Sequence, residues 1–540
     1  MAQQGQAASY YNNNQQGYQS YQQPQYRQPN YQNNGYQQAP LQQYPPPNQK
    51  PPTYDQNFAP PTDSKQSFDQ TFKIEKPKWN DLWAGILLIL TFLGFAAVSG
   101  VTLYSYSKYK GFSGGGIYDS GNDFSLNTNT IVLFVFVLCI AFVLSWAYFL
   151  SARAFTKQFI WISGILNIVL AVGTAVYYLY RHLWGAGIVF AIFAIFAIIC
   201  FISWIPRIPF SVVMLQTAMD VARNYGHVFM VSLIGGIASV AFAAWFSVTL
   251  VAVYVAYEPG SESSTNPSCA NGNGTGSCST AKVIGLVVFV TFAGYWITEW
   301  LKNTIHTTIA GVYGSWYFCA GKQSGMPKGV TRGAFRRCMT YSFGSISFGS
   351  LIVAIINMLR QACSIARHQE AAQGNLIGSI MFCVLGCIIG ILEWAVKFIN
   401  RYAFSYIALY GKAYIPAAKD TWRMMKDRGI DALVNDCLIG PVITMGSLFV
   451  AYASALFAYL YLEFTNPAYN EGRTFTPVIM AFAFVIGLQI CQIFMTPLSS
   501  GVDTLFVAMA WDPQVMISEH PDLWQRLITV YPHVQQAIHA

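Results

Sequence analysis

Ten long apolar runs constrain this chain more than any other feature of its sequence. A helix needs about 20 residues to cross a bilayer core of roughly 30 Å, and most of the runs approach that length. The predicted spans are residues 82–104, 131–150, 159–180, 185–205, 228–254, 283–301, 343–358, 376–396, 438–462 and 478–496. The runs are continuous, whereas the strands of a membrane barrel alternate lipid-facing and lumen-facing residues. The sequence therefore predicts an all-α, polytopic transmembrane bundle of about ten helices.

The charge content favours the same fold class. Only 10% of the 540 residues are charged and 54% are hydrophobic, whereas soluble domains carry roughly 25% charged residues. A soluble protein could not bury that much apolar surface. The net charge of +8 is modest and dispersed, which favours basic loops beside anionic lipid over nucleic-acid binding. The lipid bilayer is therefore the first predicted partner, and no nucleic acid is expected.

The sequence predicts three regions along the chain. Residues 1–81 are rich in Gln, Asn, Tyr and Pro, and such a segment cannot bury enough apolar surface to offset its conformational entropy. We expect a disordered cytoplasmic tail, without the apolar core of a cleaved signal peptide. Residues 82–500 form the predicted transmembrane domain, and residues 501–540 a cytoplasmic C-terminal tail.

The placement of Lys and Arg predicts which side of the membrane each loop faces. With the N-terminal tail inside, the interior loops hold 18 basic residues in 156 positions, and the exterior loops hold 7 in 90. This mild bias places both termini in the cytoplasm.

The predicted exterior loop 255–282 carries two signals of an oxidising, glycosylated face. Cys269 and Cys278 lie in a polar segment, and Asn273 begins an Asn-Gly-Thr sequon between them. We expect a Cys269–Cys278 disulfide and a glycan on Asn273. The alternative for the cysteines is two free thiols in a flexible loop.

The N-terminal tail contains a short proline motif. Pro51, Pro52 and Tyr54 form a PPxY element, and proline pre-sets the extended conformation that the aromatic groove of a WW domain binds. A WW-domain ubiquitin ligase is the predicted partner. The alternative is a chance match in a tail rich in Pro and Tyr.

Two stretches in the C-terminal half carry a family resemblance. One is GVYGSWYF (residues 311–318) with GMPKGVTRGAFRRCMTYSFGSISFGSLIVAIINMLRQ (residues 325–361), and the other is NRYAFSYIALYGKAYIPAAKDTWRMMKDRGIDALVND (residues 400–436). With the span count, they resemble the choline-transporter-like family. PKWNDLWAGILL (residues 77–88) and SGGGIYDSGNDFSLNTN (residues 113–129) resemble its fungal branch, the pH-nine-sensitive proteins. The resemblance implies a ten-helix plasma-membrane protein that carries solutes, with both ends in the cytosol.

Motifs for ATP hydrolysis and for common hydrolases are missing from the sequence. The stretch 314–322 has the wrong glycine spacing for a P-loop, and Gln323 stands where Ser or Thr must hold magnesium. HExxH and GxSxG do not occur, and the seven histidines show no metal-ligand spacing. We therefore expect neither an enzyme nor a bound cofactor or metal, and a gradient-driven carrier or channel is the simpler interpretation.

Glu299 is the clearest charged residue within a predicted span, and charge there is expensive enough to indicate function. The residues that share its helical face, at 100° per residue, are Tyr295, Trp296, Asn303 and His306. A carboxylate beside aromatic rings suits a quaternary ammonium, through Coulomb attraction and cation–π contact. Alternatively, Glu299 and His306 exchange a proton coupled to transport. The non-functional interpretation ends span six near residue 302, with Glu299 at the headgroups.

A second candidate site lies at the inner end of span eight. Glu393 and Trp394 are followed by Lys397. Because Glu393 and Lys397 are spaced i,i+4, a local ion pair is the simpler explanation, and substrate binding is the alternative. In the same span Gly386 and Gly390 form a GxxxG pair, which predicts close helix packing.

These features predict a plasma-membrane solute transporter driven by gradients, with choline or another small cation as a possible substrate. Two other classes stay open. One is a non-transporting scaffold or receptor whose tail binds WW domains, and the other is a channel or lipid-handling protein.

Overall fold

A computed structural model describes residues 68–72, 78–109, 128–180, 182, 184–225, 227–257, 280–322, 325–427, 429–430, 433–434, 437–470, 476–532 and 534. Helices dominate these residues, with short 3₁₀ turns at Ile205–Arg207 and Ala468–Asn470. The all-α fold class is therefore confirmed.

The α-helices are numbered in chain order. They are α1 Phe68–Thr71, α2 Leu82–Tyr109, α3 Thr128–Ala154, α4 Phe159–Tyr180, α5 Trp184–Trp204, α6 Ile208–Asn224, α7 His227–Tyr257, α8 Thr280–Cys319, α9 Val330–Met339, α10 Phe343–Ala372, α11 Leu376–Tyr410, α12 Tyr414–Asp427, α13 Ile439–Thr465, α14 Thr476–Trp511, α15 Pro513–Glu519 and α16 Pro521–Val530.

Ten helical segments among the described residues are long and apolar enough to cross a membrane. They are α2, α3, α4, α5 with its continuation into α6, α7, α8, α10, α11, α13 and α14. Each overlaps one predicted span, in the predicted order. Apolar side chains cover the outside of the bundle: Ile192 and Phe196 on α5 are 61% and 63% exposed. Such a surface suits lipid and not water, so the protein is a multi-pass membrane protein.

Helices α8 and α14 lie at the centre of the bundle. Helix α8 packs against α2, α7, α10, α11 and α14, and α14 packs against α3, α7, α8, α11 and α13. The α4–α5 hairpin is peripheral, and its main contact outside itself is with α13. The polar residues of α8 and α14 therefore lie where several helices converge.

Several helices run well beyond the predicted ends of their spans. Spans six, eight and ten were predicted to end at residues 301, 396 and 496, but α8, α11 and α14 continue to Cys319, Tyr410 and Trp511. The segments past those ends were assigned to loops or to the C-terminal tail, and they are helical. Hydropathy reports where lipid-compatible residues stop, whereas a helix continues for as long as its backbone bonds and its packing hold.

The chain enters and leaves the bundle at the same end. Asn80, just before α2, donates from Nδ2 to the carbonyl of Gly411, just after α11, at 2.7 Å. The rings of Tyr410 and Trp511, the last residues of α11 and α14, have centroids 4.7 Å apart. We call this end the basal face. The largest buried core lies near it, and α6, α9, α12, α15 and α16 contribute side chains to that core.

Glycines mark one close approach of helices and one place where the expected packing is missing. A Cβ on Gly236 of α7 would collide with the ring of Phe494 on α14. By contrast, a Cβ on Gly386 or Gly390 would meet nothing within 4 Å among the described residues. The prediction that this GxxxG pair packs closely is therefore wrong within the described chain, because their stretch of α11 lies on the outside of the bundle.

Candidate functional site

Four charged side chains from three helices meet through shared contacts. Lys397 Nζ lies 2.6 Å from Oε1 of Glu393 and 3.8 Å from Oε1 of Glu299. Arg360 Nη1 donates to Oε2 of Glu393 at 2.8 Å. We call Glu299 on α8, Arg360 on α10, and Glu393 and Lys397 on α11 the charged network. With two acids and two bases, its formal charge is zero.

Both glutamates of the charged network lie at the middle of long helices. Glu299 is halfway along Thr280–Cys319, and Glu393 is halfway along Leu376–Tyr410. Their side chains are only 13% and 11% exposed. Removing a carboxylate from water is costly unless a cation pairs with it. Lys397 is the cation that pairs with both glutamates.

The sequence singled out Glu299 and Glu393 separately, and the structure brings them together. The predicted i,i+4 ion pair between Glu393 and Lys397 is confirmed. Helix α8 continues to Cys319, past the residue-302 end considered for span six, and the depth of Glu299 in the bilayer stays a prediction. Arg360 was missed, since span seven was ended at residue 358, whereas α10 continues to Ala372.

His306 lies on α8, on the basal side of the charged network, and contacts both α11 and α14. Its Nε2 lies 2.7 Å from the carbonyl oxygen of Arg401 on α11, and its Nδ1 lies 2.6 Å from Oγ of Ser500 on α14. A carbonyl only accepts, so Nε2 carries the proton and Ser500 donates to Nδ1. A neutral ring is thus fully satisfied. Seven residues separate His306 from Glu299, about 10 Å along the helix, so the two do not share a direct proton contact.

A second ion pair, one turn beyond Lys397 on α11, joins α11 to α14. Arg401 Nη1 on α11 is 3.8 Å from Oδ1 of Asp503 on α14, and the Asp503 side chain is 6% exposed. This pair was not predicted, because both residues were assigned to segments outside the spans. A signal was present: Asp503 is the only acidic residue in the apolar run from 497 to 511.

Comparison with known protein families identifies the chain. The family described as "Plasma-membrane choline transporter" matches residues 188–514, a stretch that includes the whole charged network. The chain belongs to the choline transporter-like family.

Relatives in fungi place it within this family. It is 66% identical to protein pns1 of Aspergillus fumigatus, over 90% of this chain and 92% of the relative. It is 60% identical to protein PNS1 of Gibberella zeae, over 88% and 86% of the two chains. It is 42% identical to protein PNS1 of Saccharomyces cerevisiae, over 87% of each. The predicted membership of the fungal pH-nine-sensitive branch is therefore confirmed.

The three aromatic candidates of this family member lie in different surroundings. Trp296 is fully buried, and its Nε1 donates to the carbonyl of Ser347 at 3.0 Å. Tyr295 donates to Oε1 of Gln361 at 3.4 Å. Trp394 is 66% exposed, and its ring stacks on another aromatic ring of α11 at 5.6 Å. These contacts place Trp296 in the helix interface and Trp394 on the outside of the bundle.

Asn303, the remaining polar candidate on α8, also contacts a neighbouring helix. Its Nδ2 donates to Oγ of Ser350 on α10 at 2.9 Å, and its side chain is buried. Within the described residues, no three His, Cys, Asp or Glu side chains come together as metal ligands would.

Some predicted sites of this family member lie outside the described residues. They are the disulfide candidates Cys269 and Cys278, the glycosylation candidate Asn273, and the PPxY residues Pro51, Pro52 and Tyr54. These stay predictions from the sequence.

Proposed function

We propose that the protein is a gradient-driven solute carrier of the plasma membrane that binds a small cation, such as choline, at the charged network. One observation supports this above all: a single ammonium, that of Lys397, is shared by two mostly buried carboxylates on different helices. Paired charges inside a membrane bundle are costly to place there, and they mark substrate and ion pathways.

A substrate cation would replace Lys397 as the partner of Glu299. The contact between Glu299 and Lys397, at 3.8 Å, is longer than either contact of Glu393. Coulomb attraction weakens with distance, so the Glu299–Lys397 pair is the easier one to replace. When a cation binds Glu299, Lys397 and Arg360 stay with Glu393. When no substrate is bound, both carboxylates of the network are paired with Lys397.

This exchange makes transport electrogenic. The charges of the four network residues cancel, and Lys302, which also interacts with Glu299, is present in both states, so binding of one monovalent cation adds a charge of +1 to the carrier. Moving one charge through a membrane potential of 100 mV is worth about 2.3 kcal/mol. A potential that is negative inside therefore drives uptake without ATP.

We place the basal face in the cytoplasm. The support is the excess of Lys and Arg in the loops predicted to be interior, which is how positive charge distributes in membrane proteins. An epitope tag before α2 that is stained in intact cells, without permeabilisation, would reverse this orientation.

Uptake into proteoliposomes tests the proposal. The assay uses radiolabelled choline and a panel of small quaternary amines, with a potassium diffusion potential set by valinomycin. We expect saturable uptake that a negative interior accelerates. Glu299→Gln should reduce uptake at least tenfold, whereas Glu463→Gln, which changes an exposed glutamate at the end of α13, should leave it unchanged. Absence of uptake for the whole panel, or full activity of Glu299→Gln, would reject the proposal.

One observation favours lipid handling as a second candidate. The Arg360 side chain is 60% exposed, so the charged network reaches the outer surface of the bundle, where lipid would contact it. A phospholipid whose zwitterionic headgroup carries a quaternary ammonium would then place that ammonium near Glu299. A scrambling assay with fluorescent choline-headgroup lipids separates the two: scrambling without choline uptake supports lipid handling, and uptake without scrambling supports the carrier.

A further inference from the structure

The segment just before the first spanning helix is docked onto the basal face. Helix α1, Phe68–Thr71, has only four residues, and a single turn is not stable by itself in water. Phe68 and Phe72 are 1% and 2% exposed, and their ring centroids are 5.3 Å apart. Contacts with the rest of the chain therefore hold this turn in place.

The surface under α1 is shaped to receive it. A Cβ on Gly333 of α9 would lie 2.8 Å from Cβ of Phe68, so any larger residue at 333 would push Phe68 away. The ring of Phe72 meets that of Phe318, near the end of α8, edge-on at 6.5 Å. The two phenylalanines thus fill a site built from α8 and α9.

Arg337 connects the docked turn to the end of α11. Its Nη2 donates to the carbonyl of Phe72 at 2.6 Å, and its Nη1 lies 3.5 Å and 3.3 Å from the carbonyls of Ala408 and Leu409. The last carbonyls of a helix have no partner within the helix. Arg337 is only 4% exposed, and its charge is met by those carbonyls and by Asp69 at 3.5 Å. One guanidinium therefore clamps the N-terminal segment to the α11 terminus.

A second attachment follows a few residues later. Asn80 donates to the carbonyl of Gly411 at 2.7 Å. Oδ2 of Asp81 accepts from the backbone N–H of Tyr414 at 2.8 Å and from Oγ of Ser345 at 2.7 Å. Asn80 and Asp81 thereby hold both sides of the junction between α11 and α12, and they also hold the start of α10.

That junction is a natural bending point. Gly411 adopts a φ of +61°, which favours glycine, and it separates α11 from α12. Helix α11 contains no proline and runs unbroken from Glu393 to Tyr410, about 26 Å at 1.5 Å per residue. A displacement of its basal end is therefore carried along the helix to the charged network.

We propose that residues 68–72 and 78–81 form a strap that locks the basal end of α11, and that undocking of the strap frees α11 and changes the activity of the charged network. The proposal concerns the position of α11, and it rests on the proposed function only where transport is the readout.

Hydrogen exchange of the full-length protein in lipid nanodiscs tests the strap directly. The variant Phe68→Ala/Phe72→Ala empties the docking site, and the control Phe155→Ala/Phe464→Ala removes two exposed phenylalanines. We expect exchange at residues 405–417 to become at least tenfold faster in the first variant, and exchange at residues 393–401 to rise several-fold. The control should match the wild type in both regions.

A second pair of variants covers the case in which the double alanine variant does not fold. Arg337→Lys keeps the charge and loses the fork of donors that reaches both segments, whereas Arg336→Lys alters an exposed arginine on the same helix. Only Arg337→Lys should accelerate exchange at residues 405–417. Unchanged exchange there in every folded strap variant overturns the strap. Faster exchange there with no change at residues 393–401 overturns the coupling to the network.

Choline uptake separates this proposal from the proposed function. If the strap is a lock, its release should change the initial rate of uptake at least threefold. Active wild-type protein whose rate is the same in all strap variants overturns the regulatory role. If the wild type carries no choline while the exchange results are as expected, the choline assignment fails, and the strap's hold on α11 and its coupling to the network stand.

Discussion

Replacing Lys397 with methionine should destabilise the protein measurably. The substitution keeps an unbranched stem and removes the ammonium, so Glu299 loses its contact at 3.8 Å and Glu393 loses the one at 2.6 Å. Breaking a buried ion pair by removing one partner costs about 3–5 kcal/mol. Because Lys397 is 37% exposed and Arg360 still pairs with Glu393, we expect the free energy of unfolding to fall by about 2–3 kcal/mol.

This change can be measured by unfolding the protein in mixed micelles with increasing amounts of a denaturing detergent. Circular dichroism follows the loss of helix. Lys419→Met, at an exposed position on α12, should stay within about 0.5 kcal/mol of the wild type. Combining Lys397→Met with Glu299→Gln removes both charges, so the double variant should lose less than the sum of the two single losses, by roughly 1 kcal/mol or more. Losses that add to within about 0.3 kcal/mol would refute a coupling between these two side chains.

Three further predictions concern other parts of the bundle. His306→Phe should lower the free energy of unfolding by about 2–4 kcal/mol in the same assay, because Ser500 loses its acceptor and the Arg401 carbonyl loses its ring donor. Gly236→Ala should cost about 1–3 kcal/mol through overpacking, whereas Gly386→Ala, with open space around its Cβ, should be tolerated. Burial lowers the pKa of His520 from its usual 6.5, so the unfolded state binds the proton first. The contribution of His520 to stability should therefore be full above pH 6.5 and fall as the pH drops, and His520→Phe should make the fall in thermal melts from pH 8 to 5 smaller.

The spans could be predicted because lipid imposes a simple rule on sequence. A continuous apolar run needs no partner to be recognised, so the ten candidate membrane helices among the described residues were all predicted, in the right order. Their ends were harder to place. Beyond residue 301, α8 becomes polar while staying helical to Cys319, because it is packed among other helices of the basal core and is no longer selected for lipid. Hydropathy cannot report that packing.

The charged network shows which contacts of a site can be predicted from a sequence. The pair Glu393–Lys397 follows from i,i+4 spacing on one helix and was predicted. The contacts of Lys397 with Glu299 and of Glu393 with Arg360 join helices that are far apart in sequence, and their register depends on how three helices pack. A single sequence carries no record of that register. The close packing predicted for the GxxxG pair of α11 was wrong for the same reason, because a pattern of small residues does not show which side of a helix faces a neighbour.

Equilibrium binding of radiolabelled choline to the purified protein tests most directly whether the charged network is the substrate site. The measurement compares the wild type with Glu299→Gln and with Glu463→Gln at constant ionic strength. We predict saturable binding that weakens at least tenfold in Glu299→Gln and stays unchanged in Glu463→Gln. Equal affinity of the wild type and Glu299→Gln for choline would contradict a substrate site at this carboxylate.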